Sequence, residues 1–240
     1  MTSSAPPTAS GGISAAEFSA PTRPAHGFVE ILPVAVLLAL FVRTFLFQAF
    51  VVPTPSMEDT VLVGDYVLVN KFVYAPHAAW QERLLPFRAV RRGHVIVFRS
   101  LENPVNDLIK RAVGVPGDVL EIRNRILFVD GIRQKEPWAR HSNLLLRTGE
   151  ESAPETLAGR DQMPETRIAA GTYFVMGDNR ENSNDSRFWG PVPAQNLKGR
   201  ALLIYWSLSS PNAAHGGNPL RSISDFLRHA RWSRMLRFVR

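Results

Sequence analysis

The chain has 240 residues, 45% of them hydrophobic, enough for one domain with a sizeable core but not for two catalytic domains. It contains no cysteine, which excludes disulfides, thiolate zinc sites and a cysteine nucleophile. The formal net charge is +7, but residues 221–240 hold six arginines against one aspartate, so most of the excess is a property of the C-terminal segment. A solvated tail, or one resting on anionic lipid, accounts for it better than a nucleic-acid-binding groove in the core.

Residues 1–27 are rich in Ser, Ala, Pro, Thr and Gly and carry few large apolar side chains, so they are expected to form a flexible tail. Residues 28–48, FVEILPVAVLLALFVRTFLFQ, are apolar except for Glu30, Pro33, Arg43 and the final Gln48. A helix of about 20 residues covers the roughly 30 Å hydrocarbon core of a bilayer, and this run predicts one transmembrane helix. It is too long for a cleaved secretory h-region of about 7–15 residues and poor in n-region charge, so an uncleaved signal anchor is the better fit. Arg43 lies in the last third, where its stem can snorkel and reduce the cost of about 2.5–3.5 kcal/mol for an arginine at mid-span. The short tail is expected inside and the long C-terminal side outside.

From Phe50 onward the pattern becomes that of strands. Residues 61–70 hold two β-branched or aromatic runs around Gly64-Asp65, and residues 93–98, 119–122, 126–129, 172–176 and 201–206 continue it. Asp130-Gly131 marks a hairpin turn. Between 133 and 170 apolar density falls, which predicts a cap excursion rather than core strands. The last segment has Ile223, Phe226, Leu227 and Ala230 at helical spacing, while the arginines recurring every third position from Arg228 walk around such a helix. An interfacial helix is thus supported only in its first half, with a frayed basic tail as the alternative. The fold class expected is mainly β, with a catalytic domain at 49–212 and a basic tail at 213–240.

The candidate chemistry lies in Ser56, within Val51-Val52-Pro53-Thr54-Pro55-Ser56-Met57, just after the apolar run. A serine hydroxyl needs a base, and a neutral lysine can serve if burial lowers its pKa from about 10.4. Lys110 has apolar neighbours in Leu108, Ile109, Ala112 and Val113, and in a strand Arg111 points to the opposite face. Taken alone, such a pair says little. A Ser-His-Asp alternative could recruit His94 with Asp107 or Asp178. The six histidines show no metal-ligand spacing, so no metal site or cofactor is expected.

Three longer segments decide between these readings: residues 50–74 (FVVPTPSMEDTVLVGDYVLVNKFVY), 92–118 (RGHVIVFRSLENPVNDLIKRAVGVPGD) and 177–193 (GDNRENSNDSRFWGPVP). They closely resemble, in order, the boxes of bacterial type I signal peptidases, membrane-anchored Ser/Lys endopeptidases that remove signal peptides. The resemblance implies Ser56 as nucleophile, Lys110 as general base and Thr54 with the Ser56 N–H as oxyanion hole. It further implies Ser183 as the group orienting the lysine, Asp185 and Arg187 as a structural ion pair, and Gly177-Asp178-Asn179 as a loop beside the site. Phe50, Val52, Pro53, Met57 and Ile109 would line shallow pockets for an extended signal peptide added beside a strand. Pro55 stands where glycine is common, and His94 where aspartate is usual; neither touches the expected chemistry. The implied location is the bacterial cytoplasmic membrane, single-pass, with the catalytic domain on the outer side and Trp80, Leu84, Leu85 and Phe87 dipping into lipid. The expected partners are signal peptides of preproteins and membrane lipid, with no nucleic acid. Alternatives are a specialised maturation peptidase of a conjugation or secretion system and a non-catalytic signal-peptide-binding protein. A self-cleaving repressor-type protease fits worse, because an anchor is expected and a DNA-binding module is not.

Overall fold

The computed structural model describes residues 28–71, 89–141, 161–209 and 228–240, and the chain divides into two compact units, 1–39 and 40–240. The expected tail, residues 80–87, the middle of the cap and residues 210–227 lie outside the described residues. Helix α1 (Phe28–Phe41) continues into a π-helical turn at Val42–Leu46. Among the described residues no helix is long and apolar enough to cross a membrane. The helix expected over 28–48 ends at Leu46, because the Phe47 N–H closes the last turn on Val42 O and Phe47 itself is extended (φ −132°, ψ 147°), opening the first strand. From Ile31 to Phe41 the large apolar side chains of α1 are exposed, among them Leu32 at 62% and Leu37 at 67%.

Among the described residues twelve strands follow: β1 (Phe47–Val51), β2 (Asp65–Asn70), β3 (Val95–Arg99), β4 (Asp107–Gly114), β5 (Val119–Arg123), β6 (Ile126–Val129), β7 (Ile132–Arg133), β8 (Met163–Arg167), β9 (Thr172–Met176), β10 (Val192–Pro193), β11 (Leu197–Ser207) and β12 (Arg237–Phe238). The larger sheet runs β1-β2-β11-β3-β4-β9-β10 with β12 added on β11; the smaller runs β7-β6-β5-β8. Every pairing between these strands is antiparallel. Register shifts along β11 and β4 bend the larger sheet, as bulges do. A short helix, α2 (Ser186–Trp189), follows β9.

Both faces of the central strands are buried, which is why they read as unbroken apolar runs. On β3, Val95 and Val97 enter one core cluster with Val52, Met57, Val67 and Ile109, while Ile96 and Phe98 enter another with Ala112, Val175 and Val192. A third cluster, including Leu120, Ile122, Leu127, Phe174 and Met176, packs the small sheet against β4 and β9.

The Asp130-Gly131 turn joins β6 to β7 with φ of 52° and 75°, as a two-residue primed turn requires. A second such turn at Asn124-Arg125 (φ 49° and 68°) joins β5 to β6 and carried no Gly to announce it. Three expectations are corrected. Residues 61–63 are not a strand: Val61 N–H bonds Met57 O, and Gly64, at φ +84°, turns the chain so that its N–H meets Val52 O. The excursion at 133–170 contains β8, which pairs with β5 through its backbone although Pro164 and Glu165 are exposed. The described part of the C-terminal segment is not a frayed tail, while the helix expected from Ile223 lies mostly outside the described residues, with Arg228 helical at its end. Arg231 and Arg234 reach the fully buried Asp65 carboxylate at 3.3 and 2.7 Å, Ser207 Oγ donates to it at 2.6 Å, and Val239 enters the core. These long-range bonds, with β12 paired on β11, hold residues 231–239 on the domain.

Removing one partner of a buried ion pair leaves the other charge uncompensated. Asp65→Ala is therefore expected to destabilise the domain by about 3 kcal/mol, read as a lower urea midpoint, whereas Arg237→Ala, at an exposed position of β12, should leave that midpoint nearly unchanged.

Candidate active site

Ser56 sits in a single 3-10 turn, Pro55–Met57, between β1 and β2. Pro55 suits the first position of that turn, where a missing N–H costs nothing and φ is already set. Ser56 is 5% exposed, and its carbonyl accepts the Asn179 N–H at 3.1 Å. Gly177 approaches the same carbonyl so closely that a Cβ there would lie 2.5 Å from Ser56 O and 2.3 Å from Ser183 Oγ. The absence of a side chain at 177 is thus what lets the loop after β9 close on the turn that holds Ser56.

Lys110 is the fourth residue of β4, opposite Ile96 of β3, and its Nζ donates to Ser56 Oγ at 2.5 Å. Thr54 Oγ1 lies 3.3 Å from the same hydroxyl. Lys110 is 3% exposed, and burial above all lowers its pKa from 10.5 to about 8; Asp185 and Asp178 oppose the shift and Arg187 assists it.

Two buried aspartates this near a lysine would ordinarily hold it charged. Each is instead clamped by an arginine. Asp178 receives Arg111 Nε and Nη2, both at 2.7 Å, and Thr60 Oγ1 at 2.6 Å. Asp185 receives Arg187 Nε at 2.8 Å and Nη2 at 2.9 Å, together with the Gly177 N–H and the Ser183 hydroxyl. Burial works against the Asp185 carboxylate, but the bonds and charge of Arg187, backed by Gly177 and Ser183, outweigh it and its pKa is lowered. Arg111 in turn donates to Gly93 O at 2.6 Å and Arg240 O at 3.0 Å, with its guanidinium 4.4 Å from the centre of the Trp138 ring.

Of the residues singled out in the sequence, Ser56, Lys110 and Thr54 come together, and Asp185 and Arg187 form a buried pair. Ser183 is beside Gly177, but its hydroxyl proton goes to Asp185 Oδ2 at 2.7 Å rather than to a bond with Lys110. Val52, Met57 and Ile109 are core residues, with Phe50 half-buried against them and only Pro53 exposed. Core packing therefore explains the first three. In the Ser-His-Asp alternative each partner is engaged elsewhere: His94 Nδ1 accepts the Arg91 N–H at 3.2 Å, Asp107 bonds Lys198 at 2.7 Å, and Asp178 holds Arg111. Burial, with Arg200 and Arg91, pushes His94 down to about 4. Thr60, Trp138 and the pair Arg180–Glu136, bonded at 2.6 Å, were not anticipated. Thr60 follows Ser56 by four positions and Arg111 follows Lys110 by one; that adjacency is the available signal.

Lowering the Lys110 pKa has a thermodynamic consequence. An unfolded lysine keeps its proton to pH 10.5, the folded one releases it near 8, so below pH 8 the unfolded state is favoured by the difference, up to about 3 kcal/mol. That penalty fades as pH rises from 8 to 10.5. Lys110→Met is expected to raise the denaturation midpoint at pH 7 and to lose the advantage by pH 10.5. Arg187→Met, which removes a lowering influence while the Asp185 charge remains, should instead raise the Lys110 pKa, seen as an upward shift of the acid limb of any Lys110-dependent activity.

A family model described as signal peptidase, peptidase S26, matches residues 26–206. Signal peptidase I of Pseudomonas aeruginosa strain PAO1 is 35% identical over 204 residues, covering 74% of this chain and 71% of that protein. Signal peptidase I of Pseudomonas fluorescens is 34% identical over 202 residues with the same coverage, and that of Aquifex aeolicus strain VF5 is 31% identical over 238 residues, covering 80% and 89%.

Proposed function

We propose that this chain, which belongs to the signal peptidases of family S26 and so is a serine endopeptidase that cleaves signal peptides, performs that cleavage with Ser56 as nucleophile and Lys110 as general base. The observation that carries the assignment is the 2.5 Å contact between Lys110 Nζ and Ser56 Oγ inside a buried site where the neighbouring carboxylates are already paired.

Neutral Lys110 takes the hydroxyl proton as Ser56 Oγ bonds to the scissile carbonyl carbon, giving a tetrahedral oxyanion and an ammonium. The Ser56 N–H and the Thr54 hydroxyl are the donors assigned to that oxyanion. The ammonium then protonates the departing amine as the C–N bond breaks, leaving an acyl ester on Ser56. Lys110 next accepts a proton from water, whose hydroxide attacks the ester; the returning proton restores Ser56 and frees the signal-peptide carboxylate. Ser183, its own proton committed to Asp185, retains oxygen lone pairs to accept from Lys110 and aim it.

The signal peptide is assigned to the outer edge of β1, the last strand in the sheet order, where it would add as a further strand. Phe50 and Pro53 offer accessible surface there, over a floor of Val52, Met57 and Ile109. Attachment to the outer side of the bacterial cytoplasmic membrane through residues 28–46 is supported by the exposed apolar side chains of α1, and it would present Ser56 to substrates held by the same membrane.

Ser56→Ala and Lys110→Ala should each abolish cleavage of a preprotein in detergent while retaining the β-sheet circular dichroism signature; full turnover by either would refute the dyad. Thr54→Val should lower kcat by about 10²–10³, in line with losing one oxyanion donor. Activity should rise with pH through about 8 as Lys110 loses its proton, and a profile flat from pH 6 to 9 would remove Lys110 from the role of base.

A further inference from the structure

One residue, Asn179, reaches the carbonyls of both peptides that flank the Ser56 Cα. Its backbone N–H donates to Ser56 O at 3.1 Å, and its side-chain Nδ2 lies 3.5 Å from Pro55 O and 3.2 Å from the Glu58 carboxylate. Asn179 is itself held in place by backbone bonds. Its carbonyl accepts the Asn182 N–H at 3.1 Å, and on either side of it the Arg140 N–H bonds Asp178 O at 2.7 Å and the Arg180 N–H bonds Arg140 O at 3.0 Å.

The amide has one satisfactory orientation, because both groups facing Nδ2 are acceptors and a reversed amide would set its oxygen against them. That orientation leaves Oδ1 buried with no hydrogen-bond partner, in a residue that is 4% exposed. A buried, unpartnered acceptor costs stability. Leucine would fill the same space without that cost, and the Glu58 side chain, 40% exposed, would then be satisfied by solvent. Stability therefore does not account for an amide at 179, and what the amide adds is the Nδ2 donor.

The use of that donor follows from peptide geometry. The Pro55–Ser56 peptide is trans, so its C=O and N–H point in opposite directions within one plane, and fixing the oxygen fixes the N–H. Pro55 O accepts the Glu58 N–H at 3.1 Å, and Asn179 Nδ2 adds a longer second bond to the same oxygen. The Ser56 N–H on the far side of that peptide makes no hydrogen bond among the described residues, and it is the donor assigned to the oxyanion. We propose that Asn179 is a positioning residue for the oxyanion hole: its amide aims the Ser56 N–H by holding Pro55 O, while its backbone N–H holds the next peptide. The proposal rests on the reading of Ser56 as the nucleophile.

The test compares Asn179→Leu and Asn179→Ala in the full chain in detergent. Both keep the backbone N–H and remove the amide, one with a larger and one with a smaller side chain. Each is expected to lower kcat on a preprotein about tenfold, the factor that one neutral hydrogen bond commonly carries, with KM within about twofold. A peptide aldehyde, whose tetrahedral adduct on serine places an oxygen in the hole, should bind each variant about tenfold more weakly. A peptide with CH2–NH in place of the scissile amide has no carbonyl to enter the hole and should bind as it does to the unmodified chain. The acid limb of activity should stay where it is, since Asn179 is uncharged and bonds the turn rather than Lys110. The urea midpoint of the leucine variant should be unchanged or higher. Unchanged kcat in both variants would overturn the proposal. So would equal weakening of the carbonyl-free peptide, which assigns Asn179 to substrate binding, or a shifted acid limb, which assigns it to Lys110. A loss confined to a variant with a lowered urea midpoint, or failure of both to fold, would assign it to packing and overturn the proposal as well. Aldehyde binding that survives Ser56→Ala would instead refute Ser56 as nucleophile, a readout that does not involve position 179.

Discussion

The arrangement of this domain depends on one constraint: an amine that gives up its proton near pH 8 rather than 10.5 is buried within reach of two carboxylates. Burial alone moves Lys110 in the required direction, and a free carboxylate alongside would reverse the effect. The protein resolves the conflict by giving each aspartate a forked guanidinium, Arg111 for Asp178 and Arg187 for Asp185. A bidentate pair of this kind has little residual field at a third site, so desolvation is left to dominate. A lysine in place of either arginine would keep the charge count but lose the planar fork that satisfies both carboxylate oxygens at once.

The Arg111 clamp also joins stretches far apart in the chain, whereas the Arg187 clamp is local. Arg111 on β4 is tied to Gly93 before β3, to Thr60 after the nucleophile turn, to Trp138 in the excursion and to Arg240. Arg187 bonds Arg180 O, holding α2 against the loop after β9. Asp65, at the start of β2, performs the same service for Arg231 and Arg234. The apolar clusters fix where the sheets lie, and these polar nodes fix where the loops between strands come to rest. The site needs both, since Lys110 is on a strand and Ser56 is in a loop.

The division also explains what could be read from the sequence. Strands β3, β5, β6 and β9 were legible because burial on one or both faces leaves a period in the side chains, and Asp130-Gly131 because its positive φ values favour those residues. Ser56 and Lys110 were legible through the segments around them. Residues 61–63 misled because Val61 is in the core without being in a strand. The frayed-tail reading of the C-terminal segment misled because its arginines keep to no single face, while the partner of Arg231 and Arg234, Asp65, is far away in sequence. The hydrogen-bond partner of Ser183 depends on where Asp185 points, which spacing does not encode.

Buried ion pairs are seldom the most stable way to fill a core, and apolar residues of equal volume could do as well or better. What apolar residues could not supply here is acceptors. Asp185 takes the Gly177 N–H and the Ser183 hydroxyl as well as Arg187. Replacing the pair with hydrocarbon would strand those donors in the interior, at about 1–3 kcal/mol for each unsatisfied group, and release the loop whose Asn179 N–H holds Ser56 O. The clamps therefore do two things that cannot be separated: they cancel the charge that would protonate Lys110, and they seat the backbone that positions the hydroxyl Lys110 must reach.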